Sequence, residues 1–141
     1  MQDNQDDVYN TPDWSKNFAK GEIIIHEGAY AGKLYLIQSG RVEVFINIDG
    51  NEEVIAHLSE NEFIGELSFL TGGKASASVR CLDDVELVAI NDRIELRKMC
   101  VLNPDFVMNL MRSISEKLIN TNAVVAQYMG MIDSMKLIYK D

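Results

Sequence analysis

Basic residues are scarce in this chain: 13 Lys and Arg stand against 22 Asp and Glu in 141 residues, a formal net charge of −9. Neutralisation of phosphates by Lys and Arg supplies much of nucleic-acid affinity, so direct DNA binding by this chain is not expected. The same balance disfavours docking on an anionic membrane. Cysteine is scarce too, and Cys81 and Cys100 are too few and too far apart for a zinc site or a disulfide framework. They are expected to behave as small buried hydrophobes. No apolar run approaches the roughly 20 residues that cross a bilayer, and the N-terminus lacks a signal-peptide pattern, so the cytoplasm is the expected location. His26 and His57 are the only histidines, without HxH spacing, and no nucleophile-elbow motif occurs. Metal-dependent and triad chemistry therefore have few options, and no enzymatic role is expected.

What is present reads as one compact domain, with 47% hydrophobic residues, between two distinct ends. Residues 1–17 form an acidic tail that is expected to fray. From Gly21 to about Ile90 the chain alternates short apolar runs with turn residues: GEIIIHEG, KLYLIQSG, RVEVFINI, EEVIAHLS, ASVRCL and VELVAI. Strands at this spacing predict a mainly β sandwich or barrel with flanking helices. In RVEVFINI, Val42, Val44, Ile46 and Ile48 share one face and Glu43, Phe45 and Asn47 the other, which predicts one buried side. Asp49-Gly50 predicts a two-residue hairpin, because both residues tolerate positive φ. The β unit with its short helix is assigned to 18–102, that helix being capped at Asn91 or Asp92.

A long helix is assigned to 103–141, after the break at Asn103-Pro104. Met111, Ile114, Leu118, Thr121, Val125, Tyr128, Ile132, Met135 and Tyr139 recur at alternating steps of three and four, a coiled-coil seam interrupted at Thr121. About 30 helical residues extend roughly 45 Å, longer than one such β domain, so a homodimer through this helix is expected.

The stretch from Gly65 to Arg80, GELSFLTGGKASASVR, suits an anion. Gly65 permits close backbone approach, and Glu66-Leu67-Ser68-Phe69-Leu70 can form a short helix that offers free N–H groups. Glu66 is acceptor-only and would suit a hydroxyl rather than a phosphate. A plain turn with a solvated glutamate is the competing reading.

With these residues in view, the sequence resembles the cyclic nucleotide-binding domain family, which includes catabolite activator proteins and kinase regulatory subunits. The resemblance runs from about Phe18 to Asp133. It is carried by Gly21, Gly28, Gly32, Tyr35 and Gly40 and by FIGELSFLTGGKASASVR. It implies a jelly-roll-like antiparallel β-roll with a long C-terminal dimerisation helix. It also implies that Glu66 holds a ribose 2′-hydroxyl and that backbone groups near Gly65 and Leu67, with Ser76 and Ala77, approach a cyclic phosphate. Thr121 and Asn122 would face the purine.

One departure matters. The family carries an arginine for the phosphate where this chain has Ala75. Losing a charge-assisted hydrogen bond of about 1.5–3 kcal/mol weakens binding by roughly tenfold to a hundredfold. Lys74 is the neighbouring substitute, and Ser76, Ser78 and backbone N–H groups can hold phosphate without a cation. Strand alternation sends Arg80 outward.

The expected function is a cytoplasmic regulator that binds a cyclic purine mononucleotide, cAMP ahead of cGMP, as a regulatory ligand with no other cofactor. Few residues follow Asp133, so the output is expected to pass to an unknown protein effector. The alternative is a degenerate domain that serves as a dimeric scaffold and binds no nucleotide.

Overall fold

The computed structural model describes residues 14–30 and 32–138. Residues 1–13, the side chain of Tyr128 and the seam position Tyr139 lie outside the described residues. Among the described residues, eight antiparallel strands form two four-stranded sheets. One has the order β1 (Ser15–Phe18), β8 (Val85–Ile90), β3 (Leu34–Ser39) and β6 (Phe63–Ile64); the other has β2 (Ile23–Ile25), β7 (Ser78–Cys81), β4 (Val42–Ile48) and β5 (Asn51–Leu58). Helix α1 spans Glu66–Thr71, α2 Arg93–Leu102 and α3 Pro104–Ile138. This is the antiparallel β-roll with a long trailing helix that the sequence predicts.

Apolar side chains between the sheets hold them together. Ile37, Val42, Leu87 and Ala89 have no exposed surface, and Ile25, Tyr35, Ile64, Ala75, Val79, Cys81 and Val85 complete this inner cluster. A second cluster joins the roll to the helices through Leu34, Phe63, Ile90, Phe106 and Leu110, with Phe63 and Phe106 edge to face at 5.2 Å. Offset aromatic pairs of this kind add to plain area burial.

Turn chemistry follows the sequence. Asp49 and Gly50 both take positive φ, 52° and 84°, and close the β4–β5 hairpin. The Asp92 carboxylate accepts the N–H of Glu95 and caps α2. Pro104 opens α3, where the N–H that proline lacks would have no helical partner.

Three expectations need correction. A strand, β1, starts at Ser15, inside the segment expected to fray, because its backbone pairs with β8 in the register Ser15↔Val88 to Phe18↔Val85. RVEVFINI is not buried on one side alone. Phe45 is only 4% exposed because Arg80 covers its outer face, with the guanidinium 4.3 Å from the ring centroid, whereas Ile48 at the strand end is exposed. Ile114 is half-buried against the second core cluster, so the roll takes it from the expected dimer seam. Among the described residues no helix is long and apolar enough to cross a membrane.

Candidate functional site

A cavity of about 180 Å³ opens between the sheets, α1 and α3. Its walls include Val44, Leu58, Phe63, residues 64–68, residues 75–77 and Lys117. The sequence-predicted residues Gly65, Glu66, Leu67, Ala75, Ser76 and Ala77 are therefore brought together, although the two segments are separated by α1 and a glycine pair.

Gly65 sets the geometry. Its φ of +78° turns the chain sharply from β6 into α1, and an added Cβ would meet Lys33 O at 3.1 Å and Ile25 Cδ1 at 3.2 Å. Only glycine adopts this conformation in so close a space without strain. The turn drives Glu66 inward, where it is 2% exposed. A buried carboxylate needs a partner, and the Lys117 ammonium, reaching in from α3, donates to Glu66 Oε1. Lys117 Nζ also donates to the carbonyl of Phe63 at 3.3 Å.

The opposite wall is the 75–77 segment. The backbone of Ala75 is tied to the preceding turn, Gly28 N–H donating to Ala75 O and Ala75 N–H to Ala29 O, both at 2.8 Å. The N–H groups of Ser76 and Ala77 make no backbone hydrogen bond among the described residues. They are available to an anionic oxygen.

Several predicted roles are not met. Lys74 does not line the cavity; it pairs in an isolated bridge with Tyr30 and its ammonium lies 5.5 Å from that ring's centroid. Ser78 Oγ is taken by the backbone N–H of Glu27 at 2.8 Å. Arg80 points outward as expected, held at 2.8 Å by both Glu43 and Glu52. Its hydrogen bonds hold the Glu52 carboxyl below the ordinary range. Thr121 and Asn122 are exposed and do not line the cavity, and Thr121 Oγ1 donates back to Lys117 O at 2.8 Å.

Lys117 is the site residue that sequence reasoning missed. The signal was present: it follows Phe106, Leu110 and Ile114 on the inward face of α3 at helical spacing, a cation at an otherwise apolar position.

The profile of the cyclic nucleotide-binding domain matches residues 15–101, which contain both cavity segments of the β-roll. The chain belongs to the cyclic nucleotide-binding domain family. The cAMP-activated global transcriptional regulator CRP of Escherichia coli O157:H7 is 35% identical over 97 residues, 67% of this chain and 46% of that protein. The cyclic AMP receptor protein of Thermus thermophilus is 36% identical over 74 residues, 52% of this chain and 34% of that one. The chain thus spans about half the length, or less, of these curated relatives.

Among solved structures, the Thermus thermophilus catabolite activator protein superposes with a TM-score of 0.70 at 26% identity, covering 92% of this chain and 60% of that one. The cAMP-bound form of the EAL enzyme Bd1971 superposes at 0.57 with 28% identity, covering 89% and 33%. The proteins this chain is similar to therefore include both transcriptional regulators and an enzyme. In this cyclic nucleotide-binding domain, His, Cys, Asp and Glu form no metal-binding group among the described residues.

Proposed function

We propose that the chain is a regulatory domain that binds a cyclic purine mononucleotide, cAMP ahead of cGMP, and transmits that event to a protein partner. The carrying observation is Glu66, 2% exposed yet facing a cavity whose other wall offers the N–H groups of Ser76 and Ala77. A carboxylate in that position accepts a ribose hydroxyl, while free backbone donors suit a phosphate oxygen. The cavity of about 180 Å³ is smaller than the roughly 300–1,000 Å³ of most small-molecule sites. It holds the ribose and phosphate, and the base extends towards the turn of α3 that carries Thr121 and Asn122.

The cAMP-bound and cGMP-bound forms of Bd1971, at 28% and 27% identity, support a cyclic nucleotide as the ligand class. The domain performs no chemistry on its ligand. It assembles as a homodimer through α3, and binding changes how the roll and α3 sit together, because a ligand shifts a conformational equilibrium when it prefers one state. Ala75 favours the second reading, a scaffold that no longer binds nucleotide.

Thermal unfolding with cyclic AMP and cyclic GMP separates the two. A ligand at about 100 times its Kd stabilises the folded state by about 2.7 kcal/mol, which raises the Tm of the wild type and not of Glu66→Ala. A wild type whose Tm ignores both nucleotides at millimolar concentration is a scaffold.

A further inference from the structure

A second recess lies beside the turn between β2 and β3. It is a cup of about 230 Å³, walled by Ile24, Ile25 and Ala29, with His26 and Lys33 on its exposed rim and Tyr35 beneath. Of the described residues that line it, only Ile25 also lines the first cavity, so the two recesses are separate. Tyr35 is 8% exposed, and its hydroxyl has no hydrogen-bond partner among the described residues. No fully buried side-chain oxygen among those residues lacks a partner, so the hydroxyl opens on the cup and not on the core. Burial raises the Tyr35 hydroxyl above the usual tyrosine value, so at neutral pH it keeps its proton and can donate. Charge around the cup runs against that of the chain. None of its described lining residues is acidic, in a chain of formal charge −9. The neighbouring Glu27 carboxylate accepts the N–H of Asn47 at 3.0 Å. Lys74 brings a second ammonium close by, 5.5 Å from the centroid of the Tyr30 ring, which also lines the cup.

We propose that this cup is a second ligand site, which takes a small monocarboxylate with an apolar body. Ile24, Ile25 and Ala29 give the body apolar contact, Tyr35 Oη donates to the carboxylate from below, and Lys33 adds positive charge at the rim. A polar group buried as deeply as Tyr35 is ordinarily paired, and a hydrogen bond to an ionised acceptor is stronger than one between neutral groups. The cup is smaller than the roughly 300–1,000 Å³ of drug-sized sites, which limits the occupant to a molecule of about the size of benzoate. Its apolar walls and single buried donor suit a carboxylate better than a phosphate, whose oxygens ask for several donors together. The site stands apart from the cyclic nucleotide reading, because a chain that ignores cyclic AMP still has this cup.

Titration of the ¹⁵N-labelled full chain with benzoate, benzyl alcohol and inorganic phosphate, followed by amide chemical shifts, tests this. Benzoate is expected to shift Ala29, Lys33 and Tyr35 saturably, while benzyl alcohol of similar shape and phosphate of like charge leave them in place. Tyr35→Phe keeps the ring in the core and removes only the donor, and it is expected to weaken benzoate by about tenfold or more, the size of a lost hydrogen bond to a charged group. Lys33→Met, on the exposed rim, is expected to weaken it by about threefold, as an exposed charge pair contributes less. The proposal is overturned by a chain in which benzoate gives no saturable shift at Ala29, Lys33 or Tyr35. Shifts confined to Ser76 and Ala77 overturn it too, since the carboxylate then goes to the free N–H groups of the first cavity. Benzyl alcohol or phosphate acting as strongly as benzoate removes the ligand class, and Tyr35→Phe and Lys33→Met that both bind benzoate as the wild type does remove the site.

Discussion

Gly40 stands where a side chain has nowhere to go. Its φ is +92°, and an added Cβ would lie 2.4 Å from Asp84 O and 2.9 Å from a Val85 methyl. Gly40→Ala therefore carries both backbone strain and a clash with main chain, and is expected to cost about 2–4 kcal/mol. A urea titration checks this; a midpoint within error of the wild type would mean that the β3–β4 turn relaxes freely. The two cysteines differ as sharply. Burial, with the nearby Glu22 and Asp84 carboxylates, pushes the Cys81 thiol up to about 11, so it carries almost no thiolate at neutral pH. Cys100 is half-buried. Iodoacetamide is expected to label Cys100 in the folded chain, and a Cys100→Ser variant should stay unlabelled until denaturant is added. At this scale the sequence was most readable where one residue type has one use. The turn at Gly65 could be read because a close approach with positive φ calls for glycine, whereas Glu66 was open to a solvated reading that its 2% exposure excludes. Lys117 was passed over although it continues the spacing of Phe106, Leu110 and Ile114, because a lysine on a helix is ordinarily solvated and its contact with the buried Glu66 is visible only in the fold.

Elements were legible in proportion to how much of their stability is local. The β4–β5 hairpin and the α2 cap declared themselves, since Asp49-Gly50 and Asp92 act on their own neighbours. β1 and β6 did not: SKNF has no apolar alternation and Phe63–Ile64 is two residues long, and both are strands only because β8 and β3 supply their partners. The outer face of β4 and β7 was also hidden, because it depends on Arg80 reaching Glu43, Glu52 and the Phe45 ring together. Arg80→Ala uncovers Phe45, at about 1 kcal/mol for the lost cation–ring contact. It also removes the partner that holds the Glu52 carboxyl below its ordinary value of 4.5. A lowered carboxylate contributes stability that is present above its unfolded value and is lost as pH falls through the folded one. The Tm difference between wild type and Arg80→Ala is thus expected to be full at neutral pH and to shrink below about 4.5. A difference that does not change with pH would assign the whole effect to covering Phe45.

At the scale of the molecule, α3 is longer than the roll can cover. Its 35 residues extend about 52 Å, yet its docking on the roll ends at Lys117. Beyond that point Leu118, Val125, Met129 and Ile132 are 59%, 49%, 61% and 50% exposed. The 3–4 spacing predicted a seam, and the structure narrows it by drawing Ile114 into the core. A stripe of this length is costly to leave in water, and a second copy presents its own stripe in matching register. The chain is therefore expected to sediment as a dimer at micromolar concentration, and Leu118→Glu and Val125→Glu to sediment as monomers with the β-roll still folded. Charge supplies a second test. Two chains of formal charge −9 repel each other, so an association driven by apolar burial tightens as salt screens that repulsion. A dimer held by ion pairs across α3 would instead loosen with salt, and a wild type that stays monomeric at every ionic strength would mean that α3 is covered by something other than its own copy.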